Sequence, residues 1–157
     1  MDSNFFIQAH RVSYPLDVAY SFWNKVKQLA DSGFIMSIDK VKDEIFDNHD
    51  LLSEWCEANL PDDFFHDTAS SIESYRLVTS WVVSRSTHYL PNAINEFLSA
   101  EEADAFIVAY ALDDPSNNII VTQEVSEPFR RNKVKIPDAC DALGVRLSLI
   151  HISEPTR

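Results

Sequence analysis

Two glycines in 157 residues exclude a glycine-rich, phosphate-cradling loop. Basic residues are also scarce. Thirteen Lys and Arg stand against 25 Asp and Glu, a net charge of −12, which argues against a non-specific grip on nucleic acid. It does not exclude a nuclease, because a metal-binding acidic site itself adds to the negative count. Any nucleic-acid contact must then come from a local basic patch or from a partner. No apolar run is long enough to cross a membrane. No basic stretch followed by an apolar one marks a secretory signal, so the expected compartment is the cytoplasm. The two cysteines, Cys56 and Cys140, lie far apart in apolar patterns without metal-ligand spacing, and read as reduced core residues.

What is present describes one soluble domain with a sizeable core. Hydrophobic residues make up 45% and charged residues 24%, both ordinary for a globular protein. Tyr14-Pro15 opens a helix whose apolar residues Leu16, Phe22, Trp23, Val26 and Leu29 recur at helical spacing up to Gly33. Phe34 to Ile38 is expected as a buried strand. Asp39 caps a helix over Lys40 to Phe46, and Asp50 to Asn59 forms another, carrying Leu51, Leu52, Trp55 and Cys56 inward. Phe64-Phe65 reads as a short strand or packing anchor. Helices follow over Ile72 to Ser84 and Asn92 to Leu98. Near the end, Val134 to Ile136 reads as a strand, and Pro137 to Leu143 as a helical turn ending at Gly144. Helices alternating with short buried strands argue for α/β layers around a mainly parallel sheet.

The central stretch is Glu101 to Glu124, EEADAFIVAYALDDPSNNIIVTQE. It reads as an amphipathic helix, a polar loop over Asp113 to Asn117, and a strand over Asn118 to Val121 buried on both faces. Asp104 falls in the first turn of that helix, where the helix dipole favours a negative charge. Thr122 and Glu124 fall at the C-terminal end of that strand, the end where open parallel sheets place ligand sites. Asp2, Glu44, Asp104 and Glu124 each lie at the end or margin of an apolar element. Carboxylates gathered in one cleft repel each other and need a cation to remain ionised together. Hard oxygen donors of this kind select Mg²⁺ or Mn²⁺, ions that activate water and stabilise charge on a phosphoryl group. Arg130, Arg131, Lys133 and Lys135 form a local basic run that could track an RNA backbone. His10, His49, His66 and His88 show no ligand spacing, and Trp23, Trp55 and Trp81 follow helical patterns that place them in the core.

The order of these elements resembles the PIN-like domain of VapC-type toxins and related RNA-processing enzymes, most closely an uncharacterised PIN-like branch. The likeness is carried by DSNFFIQAH (Asp2 to His10), YPLDVAYSFW (Tyr14 to Trp23) and SIDKVKDEI (Ser37 to Ile45). It continues through EADAFIVAYAL (Glu102 to Leu112), IVTQE (Ile120 to Glu124) and KVKIPDACDALGV (Lys133 to Val145). The resemblance implies a three-layer α/β/α sandwich with a mainly parallel sheet over residues 1–146. It implies an acidic metal site of Asp2, Glu44, Asp104 and Glu124, with Asn4 and Thr122 as supporting polar residues. The implied activity is Mg²⁺- or Mn²⁺-dependent hydrolysis of single-stranded RNA. The implied setting is a toxin with an antitoxin protein as partner, often as a homodimer. The alternative is a PIN-like binding module without turnover.

Both ends stand apart from this pattern. Asp2 follows the initiator Met directly, so most of a first strand ending at Asp2 is expected to be missing. The last eleven residues, LSLIHISEPTR (Leu147 to Arg157), resemble a translated sequencing adapter, and 147–157 is expected to be a non-native read-through tail. The other reading of that stretch is a final strand, Arg146 to Ile152.

Overall fold

The computed structural model describes residues 1–10, 19–100 and 102–149, apart from the side chains of Ser3, Asn4 and Gln8. The expected helix opening at Tyr14-Pro15 lies outside the described residues. Helix α1 covers Ser3–Gln8, α2 Tyr20–Asp31, α3 Asp39–Phe46 and α4 Leu51–Asn59. They are followed by α5 Ile72–Ser84, α6 Pro91–Phe97, α7 Asp104–Leu112 and α8 Ile136–Leu143. The strands are β1 Ser37–Ile38, β2 Phe65–His66, β3 Ile119–Thr122 and β4 Arg146–Leu149. The protein is α/β and its strand pairs are parallel.

The strands pair as two two-stranded sheets, β1 with β2 and β3 with β4, where one sheet was expected. Ser37 faces Phe65 across the first pair, and Ile119 to Thr122 face Arg146 to Leu149 across the second. The first two residues stand between the pairs. The Met1 amino group donates to Met36 O at 2.7 Å and Ser37 Oγ donates to Met1 O at 2.6 Å. On the other side, the Asp2 amide donates to Val121 O at 3.2 Å. Two residues are too few to run a ladder along both neighbours, so these bonds link the sheets without fusing them. A cavity of about 470 Å³, lined by Met1, Phe34, Met36, Ile107, Ile119 and Val121 among others, opens beside this junction.

The core gathers around α7. Ala105, Ile107, Val108, Ala109 and Ala111 are all buried there, and Phe106 and Tyr110 are half-buried. The helix is therefore apolar nearly all round, a central buried helix where an amphipathic one was expected. Ser71 Oγ and Ser74 Oγ each donate to the Asp113 carboxylate at 2.5 Å, tying the start of α5 to the end of α7. Phe6, Val41, Ile45, Val78, Val82 and Ile136 are fully enclosed, and burying each large side chain contributes roughly 1.5–3 kcal/mol. Trp23 is buried and meets Trp55 edge-on at 4.9 Å. His66 is satisfied through its Nδ1, 2.8 Å from the Tyr110 hydroxyl.

Several local expectations shift for identifiable reasons. Phe34 is 79% exposed and outside β1, because Gly33 in the left-handed region (φ 75°) turns the chain outward after α2. Leu51 is exposed because it opens α4 directly after Asp50, whose carboxylate accepts from the Ser53 amide at 3.1 Å and fixes the helix start. Ile136 begins a helix and is not the end of a strand. Pro137 presets the helical φ in the first turn, and Lys135 is the extended residue before it. Asp39 is the first residue of α3 and not its cap, with its Oδ1 taken by the Lys40 amide at 2.8 Å and the Thr68 hydroxyl at 2.8 Å. Ile119 is half exposed, so β3 is not buried on both faces. β4 occupies the first part of the stretch for which a final strand was the other reading, and residues 150–152 lie outside the described residues.

Candidate functional site

Asp2 sits where the Met1–Asp2 segment passes into α1, with its own carbonyl accepting from the Phe5 amide at 3.2 Å. Its carboxylate is buried, at 1% exposure. A buried carboxylate needs donors, and Thr122 at the end of β3 supplies one: its Oγ1 donates to Asp2 Oδ2 at 2.9 Å. The same oxygen accepts from the Glu124 amide at 3.0 Å. One enclosed hydroxyl thus fixes both the Asp2 carboxylate and the backbone that carries Glu124.

Two of the other acids sit at helix starts. Glu124 Oε2 accepts from the Ile136 amide at 2.8 Å, at the start of α8. Glu44, half-buried on α3, places Oε1 2.8 Å from the Ala103 amide that it accepts from, immediately before α7. Helix starts carry unpaired amides and the positive end of the dipole, so both carboxylates occupy favourable places. Asp104 is the first residue of α7, next to Ala103. Glu44 and Asp104, 60 positions apart by their residue numbers, therefore lie on the same side of the molecule.

The electrostatics connect all four acids. Burial holds the Asp104 carboxyl well above the usual carboxylate range, and the charges of Asp2, Glu124 and Glu44 push it the same way against Lys133. Burial also raises Glu124. The Ile136 amide opposes that rise, Asp2 adds to it, and Lys135 and Lys133 ease it. Like charges that shift one another's protonation in this way share one low-dielectric neighbourhood. Asp2, Glu44, Asp104 and Glu124 come from four separate segments and are brought into it together. The side chain of Asn4 lies outside the described residues. Thr122 lies between Asp2 and Glu124 as a hydrogen-bonded link.

The donor set is all oxygen and acidic, which suits a hard divalent cation such as Mg²⁺ or Mn²⁺. Among the described residues, no group of three or more His, Cys, Asp or Glu side chains is arranged to hold a metal ion. The chemistry of the set therefore fits an ion, while its present spacing does not form a coordination shell. The 470 Å³ cavity is not part of this site, since none of the four acids lines it.

Lys133 is the residue that the sequence pattern undervalued. It lines a recess of about 10 Å³ with Asp104, Glu96 and Glu102, roughly the room one water needs. In the sequence it is one cation of a basic run. Nothing there sets it apart from Arg130, Arg131 and Lys135. No helix among the described residues is long and apolar enough to cross a membrane. No curated protein and no solved structure matches this chain. A family model described as a domain of unknown function (DUF4411) matches residues 1–151, and the chain belongs to that family.

Proposed function

We propose that this protein is a divalent-metal-dependent ribonuclease that hydrolyses single-stranded RNA, acting as the toxin of a toxin–antitoxin pair in the cytoplasm. The observation that carries the reading is the convergence of four carboxylates from separate segments, with Asp2 and Glu124 joined through Thr122 and Glu44 held at the amide next to Asp104. Such a cluster is costly unless a cation or protons neutralise it. The resemblance to PIN-like toxins supplies the substrate class, the antitoxin and the homodimer. Asp2, Glu44, Asp104 and Glu124 would hold the ion, Mg²⁺ or Mn²⁺. Once bound, the ion would supply an activated water and charge stabilisation at the phosphoryl group. In the hydrolysis, the water oxygen bonds to phosphorus, the bond from phosphorus to one ribose oxygen breaks, and that oxygen takes a proton.

The chain's own residues have distinct parts. Thr122 holds the Asp2 carboxylate in place through its hydroxyl. The Ala103 and Ile136 amides orient Glu44 and Glu124. With the ion bound, the Asp104 carboxyl would be ionised and would act as one of its ligands. Lys133 offsets part of the negative charge beside it.

The test is cleavage of an end-labelled single-stranded RNA in Mg²⁺ or Mn²⁺, compared with EDTA and with Asp104→Asn. Metal-dependent cleavage that Asp104→Asn abolishes without unfolding supports the reading. Equal cleavage by the folded variant removes Asp104 from the mechanism. The spacing of the acids and the net charge of −12 favour a second reading, a PIN-like binding module without turnover. A divalent ion at 100 times its dissociation constant stabilises a folded protein by about 2.7 kcal/mol. No thermal shift in Mg²⁺ or Mn²⁺ therefore favours the binding module.

A further inference from the structure

Phe129 is 92% exposed. Single exposed apolar residues are common and mean little alone. Three further observations set this one apart.

The first is where its loop is rooted. Residues 125–135 leave the chain at Glu124 and return at Ile136, and Glu124 Oε2 accepts from the Ile136 amide at 2.8 Å. Both feet of the loop are thus joined at the acidic site. Phe129 is five residues beyond Glu124, at most about 18 Å away even with the chain fully extended.

The second is that hydrogen bonds hold the loop in shape. Ser126 Oγ and the Glu127 amide donate to the Asp138 carboxylate at 2.5 and 3.1 Å. The Arg130 amide donates to Glu127 O at 3.0 Å, and the Arg130 guanidinium pairs with Glu127 at 2.9 Å. Arg131 Nε donates to His88 O at 2.8 Å, and the Leu90 amide returns a bond to Arg131 O at 2.9 Å. The ring is therefore displayed from a braced loop, with little ordering left to be done on binding.

The third is charge. Arg130, Arg131, Lys133 and Lys135 place four of the chain's 13 basic residues within six positions of an otherwise acidic protein. Lys133 and Lys135 act electrostatically on Glu124, so the returning segment of the loop carries its positive charge toward the acidic site.

An exposed ring beside cations is the combination that receives single-stranded nucleic acid. The ring stacks on a base, whatever its identity, and the cations follow the phosphates. Duplex bases are already stacked and offer no free face. We infer that the loop over residues 125–135 is the single-strand docking surface, with Phe129 stacking on an unpaired base and Arg131 and Lys133 contacting the flanking phosphates. The inference rests on the ribonuclease reading and names how that site takes its substrate.

The experiment measures fluorescence anisotropy of a labelled mixed-sequence RNA single strand titrated with the full chain in EDTA, where metal-dependent cleavage is silent. Wild type should bind, more weakly as salt rises. Phe129→Ala and Phe129→Leu should bind about tenfold or more weakly, and Phe129→Trp should keep the affinity. A duplex of the same sequence should bind more weakly than the single strand. Equal binding by wild type and Phe129→Ala, or no binding by wild type, overturns the docking surface. Cleavage that Asp104→Asn abolishes but Phe129→Ala leaves unchanged, with equal binding by both proteins, keeps the nuclease and rejects the loop. Phe129-dependent binding without any metal-dependent cleavage keeps the loop and rejects the nuclease.

Discussion

The Thr122 hydroxyl donates to the Asp2 carboxylate at 2.9 Å, joining residues 120 positions apart in a fully buried contact. The same hydroxyl accepts from the Glu124 amide. Thr122→Val keeps the shape and removes both bonds, leaving a buried carboxylate short of a donor. The expected cost is about 1–3 kcal/mol in urea denaturation, with Thr122→Ser close to wild type. A Thr122→Val protein as stable as wild type would show that the hydroxyl anchors nothing.

The acidic site also sets a pH dependence. Asp104 and Glu124 titrate above their ordinary values of 3.8 and 4.5. The folded state therefore holds these protons more tightly than the unfolded chain does. The stability this contributes is complete below the unfolded values and is lost as pH rises through the raised folded ones. In EDTA, Asp104→Asn should be more stable than wild type at neutral pH, with the advantage shrinking toward pH 4. Thermal melts in which the two proteins differ by the same amount at every pH in that range would show that Asp104 is not held above its ordinary value.

The thiols offer a check on packing. Cys56 and Cys140 are buried, and burial pushes both up to about 12. Since the thiolate is the reactive form, neither should react with a thiol reagent at pH 8 in the folded protein, and both should react in denaturant. Rapid labelling of the native state would show that the helices carrying them open readily.

Much of the secondary structure was legible because periodicity records which face is buried. The helix Ile72–Ser84 has the bounds its apolar spacing suggests, and the helical turn expected over Pro137 to Leu143 is α8, ending at Gly144. Ile136 misled because a β-branched residue after alternating Val and Lys looks like a strand end, whereas the proline behind it governs the backbone. Leu51 and Phe34 misled because apolar character does not say which way a side chain points at an element's end.

Sequence alone settled the charge balance, most of the helices, and the candidacy of Asp2, Glu44, Asp104 and Glu124, since these are properties of residue type and local spacing. Their coupling, the Thr122 link, the placing of Lys133 beside Asp104 and the outward display of Phe129 came only from the tertiary structure. The first three depend on how segments as far as 120 positions apart pack against one another. No local pattern carries that information, because burial and mutual repulsion arise only once the chain has closed on itself.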